Sequence, residues 1–489
     1  MATSFNSFNP ATGQVIGRYP LFTNKQVAQI VADARSSVDT WEALEFVGRK
    51  KTLLTWSKAI LANIGEISEL ISLETGKPLS DSRLEVLSAV NHIGWAARHA
   101  PEIMRRSHRA PGVLMAHMSA TVERSPLGVI GVIRPWNYPL FTPIGSIAYA
   151  LAAGNTVVFK PSEYATGVGS WIGQSFNAIA PSSGILTVIT GDGVTGNALC
   201  ISAIDKLSFT GSTATAKLVA AACATQMTPV VLECGGKDPV IVAADAHLDR
   251  AVDATIWSAM ANAGQSCIGA ERVYVDDQVA DRFIEKAITL ASTLTADAPG
   301  RGNYGPATMP SQISIISSHL KAAVKDGGRF AYGSLKSIKA PFVQPIILVD
   351  VPENSVAMRE ETFGPVIIIN RVKSMNEAVD LANRSQYGLG ASVWSKRYGK
   401  RIASQLHCGM VAINSTFSFA AISSLPFGGV KQSGYGRVHG PEGLLEYTYP
   451  RAVVRTRFNL PFKTLSFGRR SATDQLLYLV TKLLKGRLG

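Results

Sequence analysis

Apolar residues recur along this chain with two different periods. Val27, Ile30, Val31, Ala34, Val38 and Trp41 fall three or four apart behind Thr23 and Asn24. That is the spacing of one helical face behind residues able to cap it. Similar spacing runs through about residues 49–75 and 79–99. Beyond residue 127 the pattern shortens to "LGVIGVIRPWN" (127–137), "GNTVVFKPSE" (154–163), "GILTVIT" (184–190) and "KLSFTGS" (206–212). Each is a short β-branched run closed by Gly, Pro or Ser, the pattern of a buried strand. A second series begins near residue 230 with "TPVVLECGG", "DPVIVAA", "ERVYVDD", "FVQPIILVD" and "FGPVIIINRV". Helical stretches lie between the runs. The alternation predicts parallel sheets with ligands at the carboxyl ends of their strands, and two series predict two α/β lobes.

Composition narrows the class. The 489 residues are 46% hydrophobic and 17% charged, with 43 glycines. This suits a soluble α/β enzyme of two or three domains and excludes a disordered chain. No run of about 18 apolar residues predicts a membrane span. "MATSFNSFNP" lacks a basic segment followed by an apolar one, so a cytoplasmic protein without a signal peptide is expected. The five cysteines are an odd set without CxxC spacing or a Cys/His cluster. Free thiols and no metal site are therefore expected. The net charge is +13, and nine Lys and Arg from Arg451 onward face only Asp474. Without interleaved aromatics or a known motif, that charge does not point to nucleic acid.

Three stretches carry candidate chemistry. "NAGQSCIGAER" sets Cys267 among small residues, between Gly264 and Gly269. "VLECGGKDP" ends an apolar strand on Glu233, where partial desolvation would raise the carboxyl pKa toward that of a general base. "RPWNYPL" sets Asn137 between Trp136 and Tyr138, where its amide could donate to an oxyanion. A core thiol, an ion-paired glutamate and a turn asparagine are the blander alternatives for these residues. A dinucleotide site is suggested by "FKPSE", with Lys160 and Glu163 placed for ribose hydroxyls, although GxGxxG is missing. "FTGSTATAK" passes from a strand through Gly211 and Ser212 into a helix whose N-terminus can meet phosphate. "EETFGPV" offers Glu361 and Phe363 for the second ribose and the nicotinamide ring.

Together, "PWNYPL", "FKPSE", "FTGS", "LECGGK", "GQSC", "EETFGPV" and "PFGGVKQSGYG" resemble, in order, the motifs of NAD(P)-dependent aldehyde dehydrogenases. The likeness runs from about residue 5 to 457. It implies an α/β fold: a Rossmann-like cofactor domain (1–108 and 127–234), an α/β catalytic domain (235–432) and a small β oligomerisation domain (109–126 and 433–460). It assigns Cys267 as nucleophile, Glu233 as base and Asn137 as oxyanion donor. Lys160, Glu163, Gly211, Ser212, Trp136, Glu361 and Phe363 become cofactor contacts, with NAD expected because Glu163 would repel a 2′-phosphate. Ala216 stands where the family's motif usually has Gly. A homodimer or homotetramer is expected.

The closing "GPEGLLEYT" is most similar to the subgroup labelled succinate-semialdehyde dehydrogenase, and a coenzyme A-acylating relative is a further alternative. Enzymes of the first activity commonly carry arginines at the positions of Ala261 and Gly145, so those cations are missing here. The expected substrate lining is Tyr138, Phe141, Thr142, Ile268, Phe417 and Phe419, which favours a medium- or long-chain, aromatic or isoprenoid-like aldehyde. The presence of Glu233 argues against acylation of coenzyme A. Finally, "DQLLYLVTKLLKGRLG" within the tail 461–489 places Leu476, Leu477, Val480, Leu483 and Leu484 on one helical face. Lys482, Lys485, Arg487, Arg469 and Arg470 lie nearby, with Arg105, Arg106 and Arg109 a further basic cluster. Such a helix either docks on protein or makes peripheral contact with a membrane.

Overall fold

The computed structural model describes residues 3–460 and 466–488. The chain folds into two compact units, a larger one of Met1–Ile103 with Pro126–Thr448 and a smaller one of Met104–Ser125 with Tyr449–Gly489.

In the larger unit the early periodic segments are helices. Thr23, not Asn24, caps Asn24–Ser36, and its hydroxyl and the Gln26 side chain form a reciprocal capping box. Val38 and Trp41 fall in a separate short helix, Val38–Glu42. Glu45–Ala62, Ile64–Thr75 and Leu79–Ile103 follow.

Two sheets carry the chemistry. The first has six strands in the order Gly434–Tyr435, Val230–Glu233, Lys206–Thr210, Val129–Arg134, Thr156–Pro161 and Leu186–Val188. Its pairs are parallel except where Gly434–Tyr435 runs against Val230–Glu233. The run "TPVVLE", grouped by its position with the second series, therefore belongs to the first sheet, because it pairs with Lys206–Thr210. Gly434–Tyr435 pairs with Val230–Glu233, and residues 433–448, expected in the oligomerisation domain, fall in the larger unit.

The second sheet has seven strands, with Asp238–Val242 and Ala270–Asp276 at its centre. Val240 and Val242 enter one apolar cluster and Ile241 another, and Val273 and Val275 alternate in the same way with Tyr274. Both faces are thus covered, which is why these strands read as unbroken apolar runs.

The smaller unit holds a three-stranded sheet of Ser107–Arg109, Met118–Pro126 and Thr448–Thr456, then the helix Ser471–Leu488. Glu123 is paired by Arg106 and by Arg451. On the helix Leu476, Tyr478 and Leu479 are exposed, while Leu477 and Val480 are half-buried. The expected positions Leu483, Leu484 and Arg487 have side chains outside the described residues. Among the described residues no helix is long and apolar enough to cross a membrane.

Candidate active site

The thiol loop follows the helix Leu248–Met260. Asn262, Ala263 and Gly264 take φ of 53°, 57° and 69°, three consecutive left-handed residues. Each non-glycine of that kind costs about 1–3 kcal/mol, so neighbouring groups must hold the turn. Gln265 does much of this, donating to Asn262 O (2.9 Å) and Pro306 O (3.2 Å) and accepting from Thr308 N (2.8 Å). A Cβ on Gly264 would lie 2.1 Å from Gly364 O, and one on Gly236 would lie 2.7 Å from Cys267 O. The small residues around Cys267 thus let neighbouring backbone approach closely. Burial, followed by the charges of Glu361, Asp238 and Glu233, pushes the Cys267 thiol above its usual range.

Glu233 ends its strand in register with Thr210 on one side and Gly434 on the other. Both carboxylate oxygens are buried without a hydrogen-bond partner. Burial raises its pKa to about 8, against the opposing effect of Arg134 and Arg437. A carboxyl group so placed takes or gives a proton near neutral pH.

The "PWNYPL" turn is fixed by groups that sequence reasoning did not single out. Lys77 Nζ donates to Asn137 O (2.8 Å), pairs with Glu85 (2.6 Å) and lies 4.2 Å from the centre of the Tyr138 ring. Glu85 also accepts from Leu140 N (2.8 Å) and Phe141 N (3.1 Å), at the start of the helix Phe141–Ala153. The signal was a lysine and a glutamate eight residues apart in "GKPLSDSRLE", both fully buried. The Asn137 amide donates to Gln265 O (3.0 Å), which ties the turn to the thiol loop. An amide has two N–H donors, so a second remains for an oxyanion.

Lys160, Gly211 and Ser212 lie at the carboxyl ends of strands of the first sheet, whereas Glu361 and Phe363 precede Val366–Val372 of the second. Lys160 is buried at the end of its strand, donating to Pro161 O (2.9 Å) with Glu163 at 3.9 Å. Burial lowers its pKa. Ser212 caps Thr213–Ala224 by accepting from Thr215 N (3.2 Å), and Gly211 precedes it. Ala216 is buried in the first turn of that helix without disrupting it. Glu361 accepts from Gly236 N (3.1 Å) and burial raises its pKa to about 8. Glu271, paired with Lys237, accepts from Thr362 N and Phe363 N and so holds the Phe363 backbone at φ 50°. The Phe363 ring meets Trp136 edge-on at 5.9 Å.

A cavity of about 220 Å³ contains Cys267 and Glu233. Tyr138, Phe141, Thr142, Ile268 and Phe417 line it as expected. Phe419 does not: it packs in the core with Ile268 and Leu389, its ring tip in the space beside Gly390. Two cations, Lys77 and Arg134, line the cavity although sequence reasoning found none. At the Gly145 position the space is filled by His439, whose Nε2 would be 2.2 Å from a Cβ there. The His439 ring lies 4.0 Å from that of His92, tilted at 49°, and burial holds both imidazoles neutral, His92 at about 4. Leu84 and Trp257, 56% and 47% exposed, also line the cavity. Among the described residues no cluster of His, Cys, Asp or Glu suits a metal.

Comparison with known proteins fits this geometry. Residues 1–453 match the model of the aldehyde dehydrogenase family. A 4,4'-diapolycopene aldehyde oxidase from Methylomonas sp is 36% identical over 463 residues, 94% of this chain and 87% of that protein. A putative succinate-semialdehyde dehydrogenase [NADP(+)] from Mycolicibacterium smegmatis is 34% identical, covering 91% and 87%. The crystal structure of a putative aldehyde dehydrogenase from Burkholderia cenocepacia superposes with a TM-score of 0.89 at 32% identity, over 93% of this chain and 97% of that one. The chain belongs to the aldehyde dehydrogenase family.

Proposed function

We propose that this enzyme oxidises an uncharged, apolar aldehyde to its acid with NAD as acceptor. The observation that carries the substrate class is the cavity: aromatic and aliphatic side chains line it, Leu84 and Trp257 carry that surface into solvent, and neutral His439 fills the Gly145 position. Each CH₂ buried there contributes about 0.8 kcal/mol, whereas an unpaired buried carboxylate costs several. Of the two cations, Lys77 is engaged by Glu85 and Arg134 by hydroxyls. The Methylomonas relative's name, an oxidase of a polyene aldehyde, supports the same class.

Cys267 is the nucleophile, and its proton passes to the Glu233 carboxylate in the same cavity, and from there to solvent, before the thiolate attacks the aldehyde carbon. Asn137 and the Cys267 backbone N–H stabilise the oxyanion of the thiohemiacetal. Bound NAD would supply the hydride acceptor, held by Lys160, Glu163, Gly211, Ser212, Trp136, Glu361 and Phe363. A buried lysine with spare N–H donors beside a half-exposed carboxylate fits a diol. Glu233 then deprotonates the water that hydrolyses the Cys267 thioester.

The smaller unit is our candidate for subunit pairing through its sheet. Its exposed Phe467, Leu476, Tyr478 and Leu479, set among basic residues, favour peripheral contact with anionic lipid.

An absorbance assay over an aldehyde panel tests the reaction, with each dinucleotide and with and without coenzyme A. Long-chain or aromatic aldehydes with NAD+ should give the highest kcat/KM. Preference for succinate semialdehyde would overturn the substrate class, preference for NADP+ the cofactor, and dependence on coenzyme A the hydrolytic step.

A further inference from the structure

Arg134 is buried at the end of Val129–Arg134, and no step of the proposed reaction runs through it. Strand register sets its surroundings. Ile133 pairs with Phe209, so Arg134 is level with Thr210, which in turn pairs with Glu233. Arg134, Thr210 and Glu233 therefore form one row across three adjacent parallel strands. Residues level with one another project to the same face. The row ends in the reactive cavity, which all three line together with Cys267.

The guanidinium donates to Ser208 Oγ (2.7 Å) and to the hydroxyls of Thr210 and Ser146. Tyr447 closes the cradle through Ser208 (3.2 Å). The Arg134 Nε is buried without a partner. Among the described residues no carboxylate lies within 4.0 Å of it. A fully buried cation held only by neutral hydroxyls is unusual, because charge is expensive to desolvate without a counter-charge. The complementary anomaly lies two strands away, in a carboxylate with no hydrogen bond at all.

We infer that Arg134 is a positioning residue for the general base: its guanidinium is the through-space counter-charge that lets the buried Glu233 carboxyl ionise. The inference rests on the reading of Glu233 as base. The other groups facing Glu233 are Arg437, Glu446, the adjacent Cys234 and Cys267. Arg437 is half-buried and donates to Gly429 O (2.8 Å) and Gly436 O (2.6 Å). Glu446 opposes ionisation and is itself paired with Lys206. Arg134 is thus the more deeply buried of the two cations. At a distance bridged by low-dielectric protein its charge is felt with little screening.

The experiment follows hydrolysis of the acylated enzyme against pH in single turnovers. In Arg134→Met the midpoint of the rising limb should move up by about one unit or more. Hydrolysis at pH 7 then falls about tenfold and recovers at high pH, since one unit is a tenfold change in ionised fraction. Arg134→Lys retains the charge and should keep the parental midpoint. Should Arg134→Met fail to fold, the same variant with Ser146→Ala and Ser208→Ala removes the hydroxyls it would orphan. An unchanged midpoint with slower hydrolysis at every pH would overturn the inference, as would an equal rise in the lysine variant. A larger rise in Arg437→Gln would overturn it too. So would a higher KM for carboxylate-bearing aldehydes at an unmoved midpoint, which makes Arg134 a substrate anchor. Glu233→Gln separates the failures: parental hydrolysis in that variant defeats the base itself, whereas a block there with an unmoved Arg134→Met midpoint defeats only the role of Arg134.

Discussion

The two units of this chain use charge in opposite ways. The smaller has thirteen Lys and Arg against Glu123 and Asp474, a net +11 of the chain's +13, most of it exposed to solvent. The larger is nearly neutral overall, yet it buries Glu233, Glu361, Arg134 and Lys160. Exposed charge is screened within about 10 Å at 0.1 M salt, so its effects are weak singly and vary with ionic strength. Buried charge is not screened, and desolvation becomes the means of setting reactivity. Variants in the cavity should therefore have large, salt-independent effects that depend on pH, and variants in the basic unit small effects that salt abolishes.

The largest expected effect is that of Cys267→Ala. Turnover should fall by about a thousandfold or more, because the covalent step has no substitute. Cofactor binding, followed by fluorescence quenching, should survive. Turnover within tenfold of the parent would remove the thiol from the mechanism.

Glu233→Gln comes next, with a loss of roughly 10²–10⁴ in turnover. A first turnover should still release NADH and leave an acyl adduct visible by mass spectrometry. The parental pH profile sharpens this point. The carboxylate is the active form and its pKa is about 8, so hydrolysis should rise with pH through that value. A midpoint near the usual carboxyl range of about 4–5 would show that burial does not govern this group.

Much of this contrast was legible in the sequence. Strands closed by Gly or Pro placed Asn137, Lys160 and Glu233 at or just past the carboxyl ends of strands, because a parallel sheet covered on both faces leaves an unbroken apolar signature. What spacing does not encode is which strand neighbours which. By pattern "TPVVLE" opens the second series, although the resemblance puts the boundary at 234, and its pairing with Lys206–Thr210 places it in the first sheet. The same blindness hid Arg134, which gains meaning only when register sets it level with Thr210. Lys77 and Glu85 went unnoticed because a lysine in a short link and a glutamate on a helix usually read as solvent-facing, whereas here both are fully buried. Phe419 failed in the other direction, an aromatic near the site by sequence that belongs to the core beneath it.

A moderate effect is expected from Gly145→Ala. The new methyl would meet His439, itself pinned between His92 and Phe141 at ring distances of 4.0 and 5.6 Å. The imidazole must shift into the cavity, and kcat/KM for long aldehydes should fall about tenfold while short aldehydes lose less. Equal losses for both lengths would mean that His439 does not shape the distal cavity.

The smallest effect belongs to the basic unit, and it decides whether the comparison holds there at all. Deleting residues 466–489 removes Arg469, Arg470, Lys482, Lys485 and Arg487 together with exposed Leu476, Tyr478 and Leu479. Each cation near an anionic surface contributes about 1 kcal/mol at low salt, and the apolar side chains add to it. The full chain should therefore co-sediment with phosphatidylserine vesicles at low salt and release at high salt, while the truncated chain binds much less. Turnover of soluble short aldehydes should be the same in both, since no cavity residue has been touched. Equal and negligible lipid binding by the two chains would leave the helix as a docking element for protein. Binding that persists at high salt would instead assign the contact to Leu476, Tyr478 and Leu479, and the opposition between screened and unscreened charge would not extend to the tail.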